Sequence, residues 1–374
     1  LTPTLTATTL LSSTTPLVYG SGQGMGNQLN GTPLGSGAPA LNAVNGTQYF
    51  SGRSDNFDPT QNSGNPNNAR LDPESIRVSA DGRSVFISDE YGPYVYQFDR
   101  VTSARLRSFA LPGNLDISNL SAAGATEIAG NTTGRVANKG MEGLAITPDG
   151  KTLVGVMQAP LAQDAALAAS SKLLRIVTID IATGATHEYG YLLTDGSGVS
   201  EIVALNDHQF LIDERDGKGL GDGSKAKVKK VYLIDLAGTV DITGLGGAAA
   251  AVAAVPKSQF LDVVAGLNVA GGINDPNKVP AKIEAMAFGE DLMLDGTLTH
   301  TLYIANDNDF LPGVAGDNQF FVFGFTDQDL AAVRAGAVFV PQAIANIPEP
   351  ASAALVLTCL LGLGWQHRRR NGRR

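Results

Sequence analysis

One short segment occurs twice in this chain in nearly the same form. Residues 72–82 read D-P-E-S-I-R-V-S-A-D-G, and residues 140–150 read G-M-E-G-L-A-I-T-P-D-G. Each copy has a glutamate before a β-prone run, then a Ser or Thr, a spacer residue and an Asp-Gly pair, which is the turn chemistry that joins two strands. A second β-prone run follows each turn. A strand–turn–strand unit that recurs predicts a repeat architecture made mostly of strands.

Strand-forming runs continue from residue 47 to residue 326. With 44 glycines and only 6% aromatic residues, the composition suits many short strands joined by turns. Since a propeller blade takes about 40–45 residues, this region predicts an all-β propeller of six blades, or seven if insertions are discounted. A large β-sandwich is the alternative. One segment, 248–266, is predicted to be helical, but no regular alternation of helix and strand points to a parallel α/β fold.

The remaining sequence divides into three parts. Residues 1–46 form a low-complexity lead-in rich in Thr, Ser, Gly and Asn, and residues 327–346 form a linker after the propeller. Residues 347–374 contain Pro348, Glu349 and Pro350, an apolar stretch over 351–365, and a terminal cluster of arginines. As a helix this stretch measures about 22 Å. Anchoring by Trp365 and the arginines extends its reach, which predicts a short transmembrane helix. A plain tail anchor and a buried core helix are the alternatives.

The order of these C-terminal features resembles the PEP-CTERM sorting signal of Gram-negative bacteria. In that family a Pro-Glu-Pro precedes a transmembrane helix and a basic end, and an exosortase recognises the whole signal. The resemblance implies export, anchoring in the inner membrane through the C-terminal helix, and delivery to the cell surface or an extracellular matrix. Export requires a signal peptide, which we expect to have been removed or to lie upstream of Leu1.

Charge and residue counts exclude several classes of function. The net charge is −9 although five arginines lie in the last seven residues, so the body of the chain is strongly acidic and nucleic-acid binding is not expected. The single cysteine, Cys359, lies in the apolar tail, which leaves the body without a disulfide, a thiolate nucleophile or a cysteine zinc site. No G-x-S-x-G elbow is present, so a serine esterase mechanism is not expected.

Carboxylates recur where the strands begin and end. Glu74, Glu142, Glu201 and Glu284 each open a β-prone run. In a propeller the first strand of each blade lines the central channel, so these glutamates are expected near one rim. Further acidic residues close the second strands. Carboxylates on one face repel one another unless a cation lies between them, and clusters of oxygen ligands suit calcium. The predicted metal ligands are Glu74, Asp89, Glu90, Glu142, Glu214, Glu284, Asp307 and Asp309.

Four basic residues accompany the acidic set and are predicted to bind an anionic substrate. They are Arg77, Lys139, Arg215 and Lys282. Their side chains could donate charge-assisted hydrogen bonds to phosphate or carboxylate oxygens. In the alternative interpretation, the glutamates only bond backbone N–H groups at the strand ends or pair with these same basic residues.

At these segments the chain is similar to the phytase-like family, also described as having esterase-like activity of phytase. The similarity lies in residues 72–94, in residues 138–161 (N-K-G-M-E-G-L-A-I-T-P-D-G to M-Q-A-P-L), in residues 201–217 and in residues 282–310. It covers about 47–326 and implies a β-propeller related to calcium-dependent alkaline phytases, with hydrolysis of phosphate or other esters.

Three functions are compatible with these observations. The first is a calcium-dependent hydrolase of phosphomonoesters or related esters, which acts on an anionic small-molecule substrate. The second is a non-catalytic surface propeller that binds extracellular polysaccharide or a protein, with calcium as a structural ion. The third is a propeller lactonase with a single catalytic cation. Propellers carry many unrelated functions, so the fold alone does not decide among them.

Overall fold

The computed structural model describes residues 4, 9–14, 43–44, 47–49, 71–92, 94–119, 124–269 and 272–345. The strands are β1 (Ser12–Ser13), β2 (Ala43–Val44), β3 (Thr47–Tyr49), β4 (Pro73–Val78), β5 (Ser84–Asp89), β6 (Tyr94–Asp99), β7 (Arg105–Ala110), β8 (Met141–Ile146), β9 (Thr152–Met157), β10 (Leu173–Asp180), β11 (Thr186–Leu192), β12 (Gly198–Ala204), β13 (Gln209–Arg215), β14 (Lys229–Asp235), β15 (Lys257–Asp262), β16 (Ile283–Phe288), β17 (Leu292–Leu294), β18 (Thr297–Asn306) and β19 (Phe320–Phe325). The helices are α1 (Gly124–Gly130), α2 (Ala162–Ala165), α3 (Gly247–Val252), α4 (Val263–Val269), α5 (Pro312–Ala315) and α6 (Asp327–Val333).

The strands form a β-propeller. Three blades are four-stranded antiparallel meanders, β4–β7, β8–β11 and β12–β15, and the fourth has the order β16-β18-β19 with the short β17 also paired to β18. The innermost strands β4, β8, β12 and β16 are neighbours in that order around the central channel. The all-β propeller prediction is therefore confirmed. A small three-stranded sheet, β1-β3-β2, lies outside these blades.

The predicted count of six or seven blades is wrong, because the described residues form four. The prediction divided the length by that of a compact blade. Here each step from one inner strand to the next contains a full blade together with long connections. One such connection, residues 111–140, contains α1, and another leads through α3 before β15. The predicted helix over 248–266 is also interrupted, since Lys257–Asp262 is the outer strand of the third blade.

The hydrophobic core lies between adjacent blades. Side chains alternate along each strand, so β5 sends Phe86 toward the second blade, where it packs in one cluster with Leu144 and Met157. Its neighbour Ile87 faces the opposite side and packs with Tyr96. All of these side chains are buried. Both faces of the inner strands β8 and β12 are covered, and these two strands are correspondingly mostly apolar with little alternation.

The inner strands approach one another closely at Gly143 on β8. A Cβ atom at this position would lie 2.7 Å from the backbone nitrogen of Ile202 on β12. Only glycine allows the two strands to meet at this distance. This is the physical reason for Gly143 in the second copy of the repeated segment, where the first copy has Ser75.

One end of the channel, which we call the base, is covered by the chain after β19. α6 begins with a capping box between Thr326 and Asp329, and then the backbone crosses the channel over residues 338–345. Val340 N donates to Leu205 O of the third blade at 2.7 Å, and Ala345 N donates to Ala80 O of the first blade at 2.9 Å. An apolar cavity of about 370 Å³ lies beneath this segment. Residues 327–345, which make up nearly all of the predicted linker, therefore pack against the propeller.

In the part of the chain that the structure describes, no helix is long and apolar enough to cross a membrane. The predicted sorting residues Pro348, Glu349 and Pro350 and the predicted transmembrane helix 351–365 lie outside the described residues.

Candidate carboxylate centre at the channel mouth

The four inner strands share an irregularity at the end of the channel opposite the base, which we call the mouth. In β4, β8, β12 and β16 the pairing with the second strand slips near the first residues of the strand. Such a β-bulge re-aims the side chain of the extra residue. The bulges contain Glu74, Glu142, Ser200 and Glu284, so equivalent positions of the four blades meet at the mouth.

The second strands end at the same rim. Their last residues, or the residues directly after them, are Glu90, Gln158, Arg215 and Asp307. The Gln158 amide donates a hydrogen bond to the Glu142 carboxyl within the second blade. Arg215 donates to Ser200 within the third blade and reaches Glu284 of the fourth. Side chains from two rings of equivalent positions therefore interlock around the mouth.

Three carboxyl groups converge on the first blade. Asp72, Glu74 and Glu90 each offer an oxygen atom, and these atoms lie within 4.8 Å of one another. The Glu142 carboxyl of the second blade is near enough for the charges of Glu90 and Glu74 to raise its pKa. Carboxylates this close repel one another, and bound protons or a cation reduce that repulsion.

Burial and mutual repulsion raise the pKa values of this centre. Partial desolvation of its carboxyl and the charge of the neighbouring Asp72 raise the pKa of Glu74 to about 7, although the residue as a whole is exposed at the mouth. Burial, together with the charges of Glu74 and Asp72, raises the pKa of Glu90 to about 9. The pKa of Glu142 is raised well above its usual value by burial and by Glu90. At neutral pH and without a cation, part of the centre is protonated.

Arg215 provides the positive charge beside these carboxyls. Its Nη2 atom lies 2.7 Å and 2.9 Å from the two oxygens of Glu284. Asp213, on the same strand, is fully buried, and neither of its oxygens has a hydrogen-bond partner among the described residues. Burial raises the pKa of Asp213 to about 7, although Arg215 and Lys229 favour its charged form. Asp213 was not among the predicted ligands.

Two of the predicted metal ligands, Glu214 and Asp89, accept hydrogen bonds from backbone N–H groups of neighbouring loops. Glu214 accepts hydrogen bonds from the backbone N–H groups of three successive residues, 194–196, and pairs with Lys257. Asp89 accepts from the backbone N–H groups of Asp72 and Tyr91. Asp89 thus positions Asp72, which is itself part of the centre.

A largely buried ion pair joins two inner strands below the mouth. Arg77 of β4 and Glu201 of β12 are 2.9 Å apart, and Glu201 also accepts hydrogen bonds from Ser75 Oγ and from the backbone N–H of Leu144. Glu201 lies one residue after the bulge of β12, so it points into this deeper layer and not to the mouth. Arg77, predicted to bind substrate, lines the cavity at the base.

The remaining predicted residues lie at the outer edge of the mouth. Lys282 Nζ is 2.6 Å from Asp309 and 3.9 Å from Asp307, and all three side chains are substantially exposed. Lys139 is exposed in the turn that precedes β8. The structure thus brings together Glu74, Glu90, Glu142, Glu284 and Arg215 from the predicted set and adds Asp72, Gln158 and Asp213.

The raised pKa values predict how the stability depends on pH. Without a cation, the free energy of unfolding should fall as the pH rises from about 4.5 to about 9, because the folded state holds protons on Glu74 and Glu90 that the unfolded state has already lost. Urea denaturation in chelator at pH 5 and pH 8 measures this difference. Glu90→Gln should reduce the difference, and a wild-type stability that rises over this pH range would contradict the prediction.

Comparisons with known proteins give one family and several weaker similarities. The family model described as "Phytase-like: Esterase-like activity of phytase" matches residues 29–310. An uncharacterized secreted protein of Arthroderma benhamiae is 34% identical over 178 residues, which cover 39% of this chain and 34% of that protein. The match therefore spans about one third of the length of that relative.

Similar solved structures are distant. The β-propeller domain of Cps50 (Swd1) from Myceliophteria thermophila is 13% identical, with a TM-score of 0.29 over 63% of this chain and 52% of that chain. A putative 6-phosphogluconolactonase from Bacteroides uniformis is 10% identical, with a TM-score of 0.32 over 80% of this chain and 67% of that chain. TM-scores this low do not support a conclusion about fold or function.

Proposed function

The chain belongs to the phytase-like family, and on this basis we propose that it is an exported, cation-dependent hydrolase of phosphate or related esters. One observation carries the proposal: carboxyl oxygens of Asp72, Glu74 and Glu90 lie within 4.8 Å of one another, and the partly buried Arg215 lies on the other side of Glu142 and Glu284. Such a grouping of like charges is unfavourable for stability unless a positively charged species binds there.

The donor set fits calcium. It contains only oxygen atoms, and hard cations such as calcium bind carboxylate, amide and water oxygens. Asp72, Glu74 and Glu90 would hold the ion, with Glu142 as the adjacent carboxyl. A bound calcium ion would polarise the ester and lower the pKa of a water molecule. Because the pKa values of Glu74 and Glu90 are raised, binding of the ion at neutral pH would release protons from the cluster.

The side chains around the cluster would orient the substrate and hold a proton. Arg215 is fixed by its two contacts with Glu284, so its guanidinium can neutralise charge on a phosphate at the mouth without first becoming ordered. Glu142 is buried and receives a hydrogen bond from Gln158, which orients its carboxyl. A cation bound beside Glu142 would lower its raised pKa and leave the carboxyl ionised. We assign Glu142 in that state as the group that accepts a proton from the attacking water.

Export is supported by one observation from the sequence and one from a relative. The C-terminal residues 347–374 resemble a PEP-CTERM signal, which would make an exosortase a processing partner and would anchor the chain in the inner membrane before it reaches the cell surface. A relative in Arthroderma benhamiae is described as secreted. Both points support a substrate that lies outside the cytoplasm.

The test is hydrolysis of p-nitrophenyl phosphate, p-nitrophenyl acetate and phytate by the full chain, with calcium and with chelator. We expect turnover of at least one phosphate ester in calcium and its loss in chelator. Calcium at 100 times its Kd should also stabilise the fold by about 2.7 kcal/mol, measurable as a higher Tm. No turnover of any ester, with the calcium stabilisation retained, would refute the hydrolase and favour a binding propeller.

A further inference from the structure

A second recess opens beside the mouth, between the loop that follows β13 and the loop that follows β18. Its volume is about 150 Å³. Arg215 and Lys282 lie on the side next to the carboxylate centre, and Leu220, Leu311 and Val314 form apolar walls. Arg215 also contacts Glu284, so this recess and the centre share a side chain. We call it the side pocket.

The loop that contains Leu311 and Val314 has a strained conformation. Asp309 and Phe310 have φ angles of 52° and 58°, in the left-handed region that residues other than glycine rarely adopt. Asn308 keeps the loop in place, since its side chain donates to Gly316 O at 2.9 Å and accepts from Phe310 N at 3.1 Å. Strain of this kind persists where the surroundings enforce it, and it is concentrated at functional sites.

This conformation keeps apolar side chains in contact with water. Leu311 is 57% exposed and Val314 is 60% exposed, although both line the side pocket. A ligand with an apolar group would remove this surface from water and would gain the corresponding hydrophobic free energy. The volume suits one aromatic ring, because cavities of about 150 Å³ bind benzene.

The charges of the side pocket disfavour a ligand with several negative charges. Asp222, Asp307 and Asp309 line it together with Lys282 and Arg215, and both cations are already paired with carboxylates. A polyanion placed here would meet net negative charge. A substrate with a single phosphate directed to the mouth and an uncharged group directed to the side pocket avoids this repulsion.

We propose that the side pocket binds the apolar alcohol portion of the substrate, so that the preferred substrates are monoesters of aryl or similarly compact hydrophobic alcohols. The proposal rests on the proposed function for the identity of the reacting group. The phosphate would lie against Arg215, and the ring would lie against Leu311 and Val314. Phytate, with its many phosphates, would be a poor substrate.

The test compares binding of two phosphonates that cannot be hydrolysed, benzylphosphonate and methylphosphonate, by calorimetry with the full chain in calcium. Benzylphosphonate should bind at least about tenfold more tightly. Val314→Trp, which fills the pocket, should abolish this preference, and Leu311→Ser should reduce it. Leu106→Trp alters an equally exposed leucine on β7, far from the pocket, and should leave the preference unchanged.

Several outcomes would overturn the proposal. They are equal affinity for the two phosphonates, no binding of either, or a preference that survives Val314→Trp. A failure of the pocket assignment can also be distinguished from a failure of the proposed hydrolase function. If benzylphosphonate is preferred in the expected way but no ester is hydrolysed, the pocket stands as a binding site and the hydrolase fails. If esters are hydrolysed but phytate is preferred over p-nitrophenyl phosphate, the hydrolase stands and the pocket assignment fails.

Discussion

Replacing Glu142 with glutamine is expected to lower kcat for ester hydrolysis by about 10²–10⁴-fold, the usual contribution of a general acid or base. Glutamine has nearly the same size and still pairs with the Gln158 amide, but it cannot accept a proton from water. Because Asp72, Glu74 and Glu90 remain, the rise in Tm on addition of calcium should be retained. Turnover of p-nitrophenyl phosphate and thermal unfolding of the same preparation measure both quantities.

Two further variants separate the role of Glu142 from that of a cation ligand. Glu90→Gln should lose both the turnover and the calcium-dependent rise in Tm. Glu290→Gln makes the same chemical change at an exposed glutamate after β16 and should affect neither. Normal turnover in Glu142→Gln would refute its assignment as the proton acceptor. A loss of the calcium effect in Glu142→Gln would instead make it a ligand.

Replacing Arg175 with methionine is expected to lower the free energy of unfolding by about 3–5 kcal/mol. Arg175 on β10 is buried and donates twice to Asp164 Oδ2, at 3.0 Å and 2.7 Å, and its Nη1 lies 3.8 Å from Glu188. Asp164 and Glu188 are also fully buried. The substitution would leave two carboxyls in the core without a cation, and urea denaturation at pH 7 would measure the loss.

The origin of this loss can be checked in two ways. It should become smaller at acidic pH, because burial already raises the pKa of Glu188 and this carboxyl can then take up a proton. It should be smaller again in the double variant Arg175→Met/Asp164→Leu. Lys151→Met breaks an ion pair with Asp149 in which the lysine is 77% exposed, and its effect should stay within about 1 kcal/mol. A loss below about 1 kcal/mol in Arg175→Met would show that the buried pair does not stabilise the fold.

The fold class could be predicted because the local signals agree with the tertiary structure. The Asp-Gly turns at 81–82 and 149–150 join the first two strands of their blades, and the β-prone runs beside them are the inner strands. The blade count could not be obtained in the same way. Spacing between repeats measures a blade together with its connections, and the helices that lengthen the connections have no repeat of their own.

The residues of the site were harder to predict than the fold, because the bulges shift which side chains face the channel. A single extra residue reverses which side chains face the channel, so positions that match in the sequence can differ by one in space. All four inner strands have the bulge, but the glutamate of β12 comes one residue after it. Glu201, grouped with Glu74 and Glu142 by its sequence context, therefore lies in a deeper layer, and its place at the rim is taken by Ser200. Likewise Asp213 faces the channel while Glu214 binds a loop. Asp72 and Gln158 belong to segments that were recognised, but their side-chain directions follow only from the pairing register.

The segment over residues 338–345 also links blades whose strands do not pair with each other. It bonds to Leu205 of the third blade and to Ala80 of the first, and the Gln342 side chain donates to Val78 O of the first blade. A single stretch of chain thus ties the first and third blades together across the base. The carboxylate centre lies at the other end of the channel, away from this tie.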